Sequence, residues 1–193
     1  MEATFYFDPS CPWTWRTSRW LVAAASQRNV TVRWRPFSIG ILNEGRELPA
    51  KYAKPMAAAA RALRLVAALA EAGRDEDAGR FYAELGARTH DAGAELTDAA
   101  VGEAAEAAGV ADAAGALDDA GWDAAVRRSH DTAFGSAGPD VGSPVLALDG
   151  AARALHGPII AEVPPAQEAA ALWDAVVPLL RSETFFEVKR GRR

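Results

Sequence analysis

The residue with the greatest chemical reach in this sequence is Cys11, which begins the run Cys11-Pro12-Trp13-Thr14. A cysteine attacks as its thiolate, and a free thiol ionises with a pKa of about 8.5. At the start of a helix, unpaired backbone N–H groups and the macrodipole both favour the anion. Pro12 suits the first helical position, because the N–H it lacks would have no partner there. Trp13 can cover one side of the sulfur and offer a flat surface to a substrate. The competing reading is a small, buried, inert hydrophobe. A place after an apolar run, before a helical pattern and beside a proline favours reactivity. The chain has one cysteine, so no internal disulfide can form and no oxidising compartment is implied. Its three histidines are scattered and give no zinc spacing. Neither a G-x-G-x-x-G turn nor a Walker phosphate loop occurs, so no metal and no tightly bound cofactor is expected.

The elements around the cysteine follow from hydrophobic pattern and turn chemistry. Thr4 to Phe7 is a β-branched and aromatic run ended by Asp8-Pro9, a buried strand and a turn. Trp13, Trp20, Leu21 and Ala24 share a helical face, and Asn29 closes that helix. Val30 to Phe37 alternates as a second strand, which completes a βαβ unit. Ile39 to Tyr52 reads as a loop. Helices are then expected from Pro55 to Ala72 with Gly73 as the stop, and around Phe81, Leu85 and Arg88 up to Gly93. Thr97 is the N-cap of a helix from Asp98 to Ala108, closed by Gly109. Shorter helices are expected near Ala111 to Leu117 and Trp122 to Phe134. Val145 to Leu148 and Ala152 to Leu155 flank Asp149-Gly150, a hairpin cue. Pro164-Pro165 opens a last helix to Leu180, with Leu172, Trp173, Val176 and Leu179 turned inward. The order βαβ, helices, ββα fits an α/β thioredoxin-like core with a large helical insertion. The core is assigned to residues 1–44 and 135–193, and the insertion to residues 45–134.

Hydrophobic residues make up 50% and charged residues 24%, the balance of a soluble globular chain. The formal net charge of -5 argues against nucleic acid as a partner. Lys189, Arg190, Arg192 and Arg193 are a local exception, read as a solvated tail without a role. No apolar run is long enough to cross a bilayer, and the first eight residues lack the pattern of a signal peptide. The expected location is the cytoplasm, and the oligomeric state is left open, a homodimer included.

Several blocks resemble one family. Phe7-Asp8-Pro9-Ser10-Cys11-Pro12-Trp13, Trp15 and Thr17-Ser18-Arg19-Trp20-Leu21 look like the DsbA-like actinobacterial mycothiol-dependent nitroreductases. The resemblance continues through Ile41-Leu42-Asn43-Glu44, Leu48-Pro49, Tyr52, His90, Arg128-Ser129-His130 and Asp140-Val141-Gly142-Ser143-Pro144. It ends with Gly157-Pro158, Leu172-Trp173-Asp174-Ala175 and Phe185-Phe186-Glu187-Val188-Lys189-Arg190. It implies a thioredoxin fold with a helical insertion, and reducing power from a low-molecular-weight thiol, mycothiol, as cosubstrate. It also implies that Pro144 is a cis-proline beside the cysteine, where the bland reading is a trans proline starting an edge strand. Ser143, Asn43, Tyr52 and His90 become candidates for binding substrate or thiol. Their plain alternatives are a loop residue before proline, a turn residue, a helix-start aromatic and an exposed helix histidine. His130 and His156 are weaker candidates, read as capping a helix end or closing the hairpin.

The chain departs from the family pattern at Thr14, where the family usually has a second cysteine. Without it Cys11 cannot release a bound partner by internal disulfide formation, so a thiol from solution must do so, as in a monothiol glutaredoxin-type cycle. The Thr14 hydroxyl could donate to the Cys11 thiolate, against the plain alternative of helix packing. The leading expectation is a thiol-dependent oxidoreductase with Cys11 as nucleophile. An alternative is an enzyme like the kappa-class transferases or chromene-carboxylate isomerases, which activates a bound thiol cofactor. A third is a non-catalytic binder with an aromatic pocket of Trp13, Trp15, Trp20 and Tyr52.

Overall fold

A computed structural model describes residues 1–191, so Arg192 and Arg193 of the basic tail lie outside the described residues. β1 (Glu2–Phe7) pairs in parallel with β2 (Thr31–Pro36), and the connection between them is α1 (Pro12–Arg28). β3 (Val145–Leu148) lies antiparallel to β1 on its other side, and β4 (Leu155–His156) completes the sheet in the order β2-β1-β3-β4. A short α2 (Ile39–Leu42) follows β2, then α3 (Ala53–Glu71), α4 (Asp75–Gly86), α5 (Asp98–Ala107) and α6 (Asp123–Ala137). The chain ends in α7 (Ala166–Arg181). This is the thioredoxin-like α/β fold with helices inserted between β2 and β3.

The two sheet faces follow from the two-residue period of the strands. Ala3, Phe5 and Phe7 of β1 join Leu146 and Leu148 of β3 in one core with Trp20, Leu21 and Ala24 of α1 and Trp173 and Val176 of α7. On the other face Tyr6, Val145 and Ala147 pack with Phe37 and with Ala133 of α6. The inserted helices share the first core: Tyr82 of α4 stacks on Phe7 with ring centroids 4.0 Å apart. Arginine–aspartate pairs, Arg35–Asp75 and Arg74–Asp112 among them, brace the rim of the inserted block.

Local signals placed most boundaries. Pro12 occupies the first turn of α1, and Asn29 ends it in the left-handed conformation. The Thr97 side chain accepts from the Ala100 N–H and caps α5. Gly73 has φ of +71°, which lets the chain reverse between α3 and α4.

Four expectations need correction. Ile39 to Tyr52 holds α2 and a 3-10 turn at Ala50–Tyr52, because the Ser38 side chain caps α2. α4 starts at Asp75, earlier than Phe81 suggested, with three acidic residues in its first turn, and it runs into a π-helical stretch at Ala87–Asp91. The expected strand from Ala152 shrinks to Leu155–His156, since the Ala154 N–H donates to the Ser136 hydroxyl and leaves the ladder. In α7 the buried residue of the last turn is Leu180, with Leu179 half-buried.

Candidate active site around Cys11

Cys11 is the N-cap of α1, with extended backbone, a half-buried side chain and no acidic residue in the helix's first turn. The strand that ends at Phe7 delivers it there, and Trp15 N–H donates to the Cys11 carbonyl at 3.1 Å to start the helix. Its sulfur lies 3.7 Å from the carbonyl oxygen of Ser143. The Ser143–Pro144 peptide bond is cis, as the resemblance implied. A second cis bond joins Gly157 and Pro158, and the Gly157 N–H donates to the Pro144 carbonyl at 2.9 Å. The second cis-proline loop therefore runs beside the first, which faces the sulfur.

Thr14 is fully buried, and its hydroxyl bonds to the Ser143 hydroxyl at 2.8 Å. Either hydroxyl can be the donor in that pair, which gives Thr14 a partner besides the Cys11 sulfur to which it was expected to donate. Ser143 Oγ also accepts from the Asp8 N–H at 3.0 Å. Asp8 is 1% exposed. Its Oδ1 accepts from the Ser10 N–H at 2.8 Å and the Ser10 hydroxyl at 2.6 Å, and its Oδ2 accepts from the Ile39 N–H at 2.6 Å. Burial pushes the Asp8 carboxyl above its ordinary range, and the Ser10 and Ile39 bonds oppose that rise.

His90 comes from the π-helical stretch after α4. Its Nε2–H donates to the Pro9 carbonyl at 2.8 Å, which joins the insertion to the cysteine loop. Its ring stacks 6.1 Å from that of Trp15, whose Nε1–H donates to Asp91 at 2.7 Å. Burial lowers the His90 pKa, and the Pro9 bond pulls the other way. Trp13 is half-buried under the Arg16 guanidinium, 5.1 Å from its ring centroid, and Pro12 beside it is exposed. Asn43 donates to the Ile39 carbonyl within its own short helix at 2.9 Å. Tyr52 is 45% exposed beneath Lys51. The structure thus brings Cys11, Thr14, Ser143, Pro144 and the His90 contact together. It gives Asn43 and Tyr52 local partners and no bond to the cysteine loop.

His130 is buried, and its Nδ1 accepts from the Ser38 N–H at 3.3 Å at the start of α2. His156 pairs with Val145 and closes the hairpin. The four-aromatic pocket does not form: Trp20 is buried against Trp173, Trp15 is buried against Tyr82, and Tyr52 is exposed. A cleft of about 420 Å³ lies elsewhere, lined by Tyr6, Arg35, Arg128 and Ser129 among others. Its arginines are already paired with Asp75 and Glu71. No group of metal-binding side chains and no helix long and apolar enough to cross a membrane occurs among the described residues.

Sequence reasoning missed Asp8 and Thr17. Asp8 carried a readable half, since an aspartate bonding to the N–H two residues on is a turn signal. Its bond to Ile39 had none. Thr17 carried no signal: its hydroxyl lies 3.0 Å from the Trp13 carbonyl and 2.9 Å from the Pro158 carbonyl, and it accepts from the Ile160 N–H. It fastens the second cis-proline loop to α1.

Comparison with known proteins bears on this arrangement. The 2-hydroxychromene-2-carboxylate isomerase structure superposes with a TM-score of 0.61 at 15% identity, covering 94% of this chain and 97% of that one. The cytosolic disulfide reductase DsbM from Pseudomonas aeruginosa, solved with GSH, gives 0.58 at 17% identity over 92% and 100%. A probable DsbA oxidoreductase from Streptomyces coelicolor gives 0.57 at 21% identity over 92% and 90%. These likenesses establish the fold. In sequence, the chain is 30% identical to the uncharacterized protein Rv2286c of Mycobacterium tuberculosis, over 97% of this chain and 81% of that protein. Residues 10–190 match the Rv2466c-like family, described by its member the mycothiol-dependent nitroreductase Rv2466c. The chain, with its one cysteine at the head of α1 beside a cis-proline loop, belongs to the Rv2466c-like mycothiol-dependent nitroreductase family.

Proposed function

We propose that this protein is a cytoplasmic thiol oxidoreductase that works by a monothiol cycle, with Cys11 as nucleophile and mycothiol as the thiol cosubstrate. The observation that carries the reading is a half-buried sulfur at a helix start, 3.7 Å from the carbonyl that precedes a cis-proline, with no second cysteine in the chain. In the first step the Cys11 thiolate attacks one sulfur of a disulfide R–S–S–R′, forms a mixed disulfide with R–S and expels R′–S⁻. In the second, a mycothiol thiolate attacks that mixed disulfide on the R sulfur, releases the Cys11 thiolate and carries R away as a new disulfide. The net change exchanges R′–S for mycothiol on R, and no electrons are left over. Thr14 cannot take the resolving part, and its hydroxyl is engaged with Ser143.

In this reading residues 1–44 and 135–193 carry the sulfur chemistry, while residues 45–134 cover it. Ser143 and Pro144 present backbone to the bound partner. Pro12 keeps the helix start open, and Trp13 supplies a flat wall. His90 holds the cysteine loop from the insertion. Asn43 and the exposed Tyr52 belong to the segment that a cosubstrate would meet on entering.

The test is mass spectrometry after incubation with mycothiol disulfide. A single adduct on Cys11, absent in Cys11→Ser, is expected, together with ready alkylation of Cys11 by iodoacetamide at neutral pH. Absence of the adduct with slow alkylation overturns the reading. The lone cysteine also fits a second reading, activation of a bound thiol without disulfide formation, as in isomerases of this fold. Turnover that survives Cys11→Ser would favour that one.

A further inference from the structure

The cysteine site is built from three backbone segments: the loop before α1, the loop before β3 and the start of α2. One residue bonds to all three. The Asp8 carbonyl accepts the Cys11 N–H at 3.2 Å. The Asp8 N–H reaches Ser143 Oγ at 3.0 Å, and through it the Thr14 hydroxyl. The Asp8 carboxylate holds Ser10 with one oxygen and the Ile39 N–H with the other. We propose that Asp8 is a positioning residue for disulfide exchange at Cys11, setting the sulfur and the cis-proline loop in register; this rests on the thiol-exchange reading above.

The chemistry of the side chain supports the assignment. Ser10 and Ile39 all present donors to it, so both carboxyl oxygens must be acceptors. A carboxylate meets that need, whereas an amide offers one acceptor oxygen and turns a donor toward the other N–H. Both oxygens are engaged and the residue is 1% exposed, so Asp8 acts through the backbone it holds and not on the substrate. The demand for such a device comes from the reaction. Thiol–disulfide exchange needs the attacking sulfur in line with the bond it breaks, while the partner lies along the cis-proline loop. A displacement of about 1 Å in such an arrangement costs about a hundredfold in rate. Alkylation by a small reagent needs only an open sulfur.

This difference gives the experiment. In the full-length protein, Asp8→Asn and Asp8→Ala are compared with the wild type by two rates at Cys11: alkylation by iodoacetamide and adduct formation with mycothiol disulfide. Each is read on the plateau of its own pH profile, so that a change in thiolate fraction does not enter. Adduct formation is expected to fall at least about tenfold, with alkylation within about threefold. If both rates fall together, or neither falls in a folded variant, the proposal is overturned. Should Asp8→Ala not fold by circular dichroism, Asp8→Asn decides, with Ser143→Ala as the second variant that breaks the Asp8 link. A wild-type sulfur inert toward both reagents overturns the thiol-exchange reading itself. A reactive wild type with equally reactive variants overturns only the role of Asp8.

Discussion

Thr14 stands where the sequence resemblance implies a second cysteine, and its hydroxyl bonds across 129 residues of sequence to Ser143. Ser143 Oγ already accepts the Asp8 N–H, so the Thr14–Ser143 bond gives both buried hydroxyls a partner. Replacing Thr14 by Val keeps the shape and leaves the Ser143 hydroxyl without that partner, a loss of about 1–3 kcal/mol for a buried polar group. Urea denaturation of Thr14→Val, Ser143→Ala and the double variant should return a coupling energy of about 1 kcal/mol. Additive losses would mean that the two hydroxyls do not stabilise each other. The place of Cys11, Pro12 and Trp13 at the start of α1 was legible in the sequence because it depends on chain neighbours. Pro144 became legible through the resemblance. The partners of Thr14 and Asp8 were not, because a hydroxyl or carboxylate in a linear sequence does not reveal which distant backbone group it will meet.

The cysteine helix is held from the insertion side by α4, through a contact that depends on the absence of a side chain. A Cβ at Gly86 would fall 2.1 Å from Cε3 of Trp15, an indole that is itself buried and bonded to Asp91. The ring has no room to retreat, so α4 would have to move. Gly86→Ala should therefore destabilise the fold by about 1–3 kcal/mol, although alanine is the better helix former. Thermal melting checks this, and an unchanged or raised Tm would contradict the packing argument. Elements of this kind were unevenly legible. The strands β1, β2 and β3, and helices α1, α3 and α5, carried periodic apolar faces and caps such as Thr97, so the pattern found them. The short α2 has a local cap in Ser38, but the bond that fixes its start, Ile39 to Asp8, and the bond that shortens β4, Ala154 to Ser136, are with distant residues that no local window contains.

Across the molecule, two histidines fasten helical segments to the core, and burial disfavours the charged form of both. Burial lowers the pKa of His90 and of His130 below the ordinary 6.5. Between each lowered value and 6.5 the unfolded chain binds more protons than the folded one, so folding stability falls as pH is lowered through that window. His130 has the added cost that its Nδ1 accepts from the Ser38 N–H, a bond that protonation removes. His90 donates through Nε2 to Pro9, and that bond survives protonation. Asp8 acts with the opposite sign: its carboxyl lies above the ordinary 3.8, so its contribution is present at low pH and is lost as pH rises through the raised value. The Tm should therefore decline from pH 7 toward pH 5.5. His130→Asn, which keeps an acceptor for Ser38, should flatten that decline more than His90→Asn does. A decline in His130→Asn as steep as that of the wild type would show that protonating this ring costs the fold nothing.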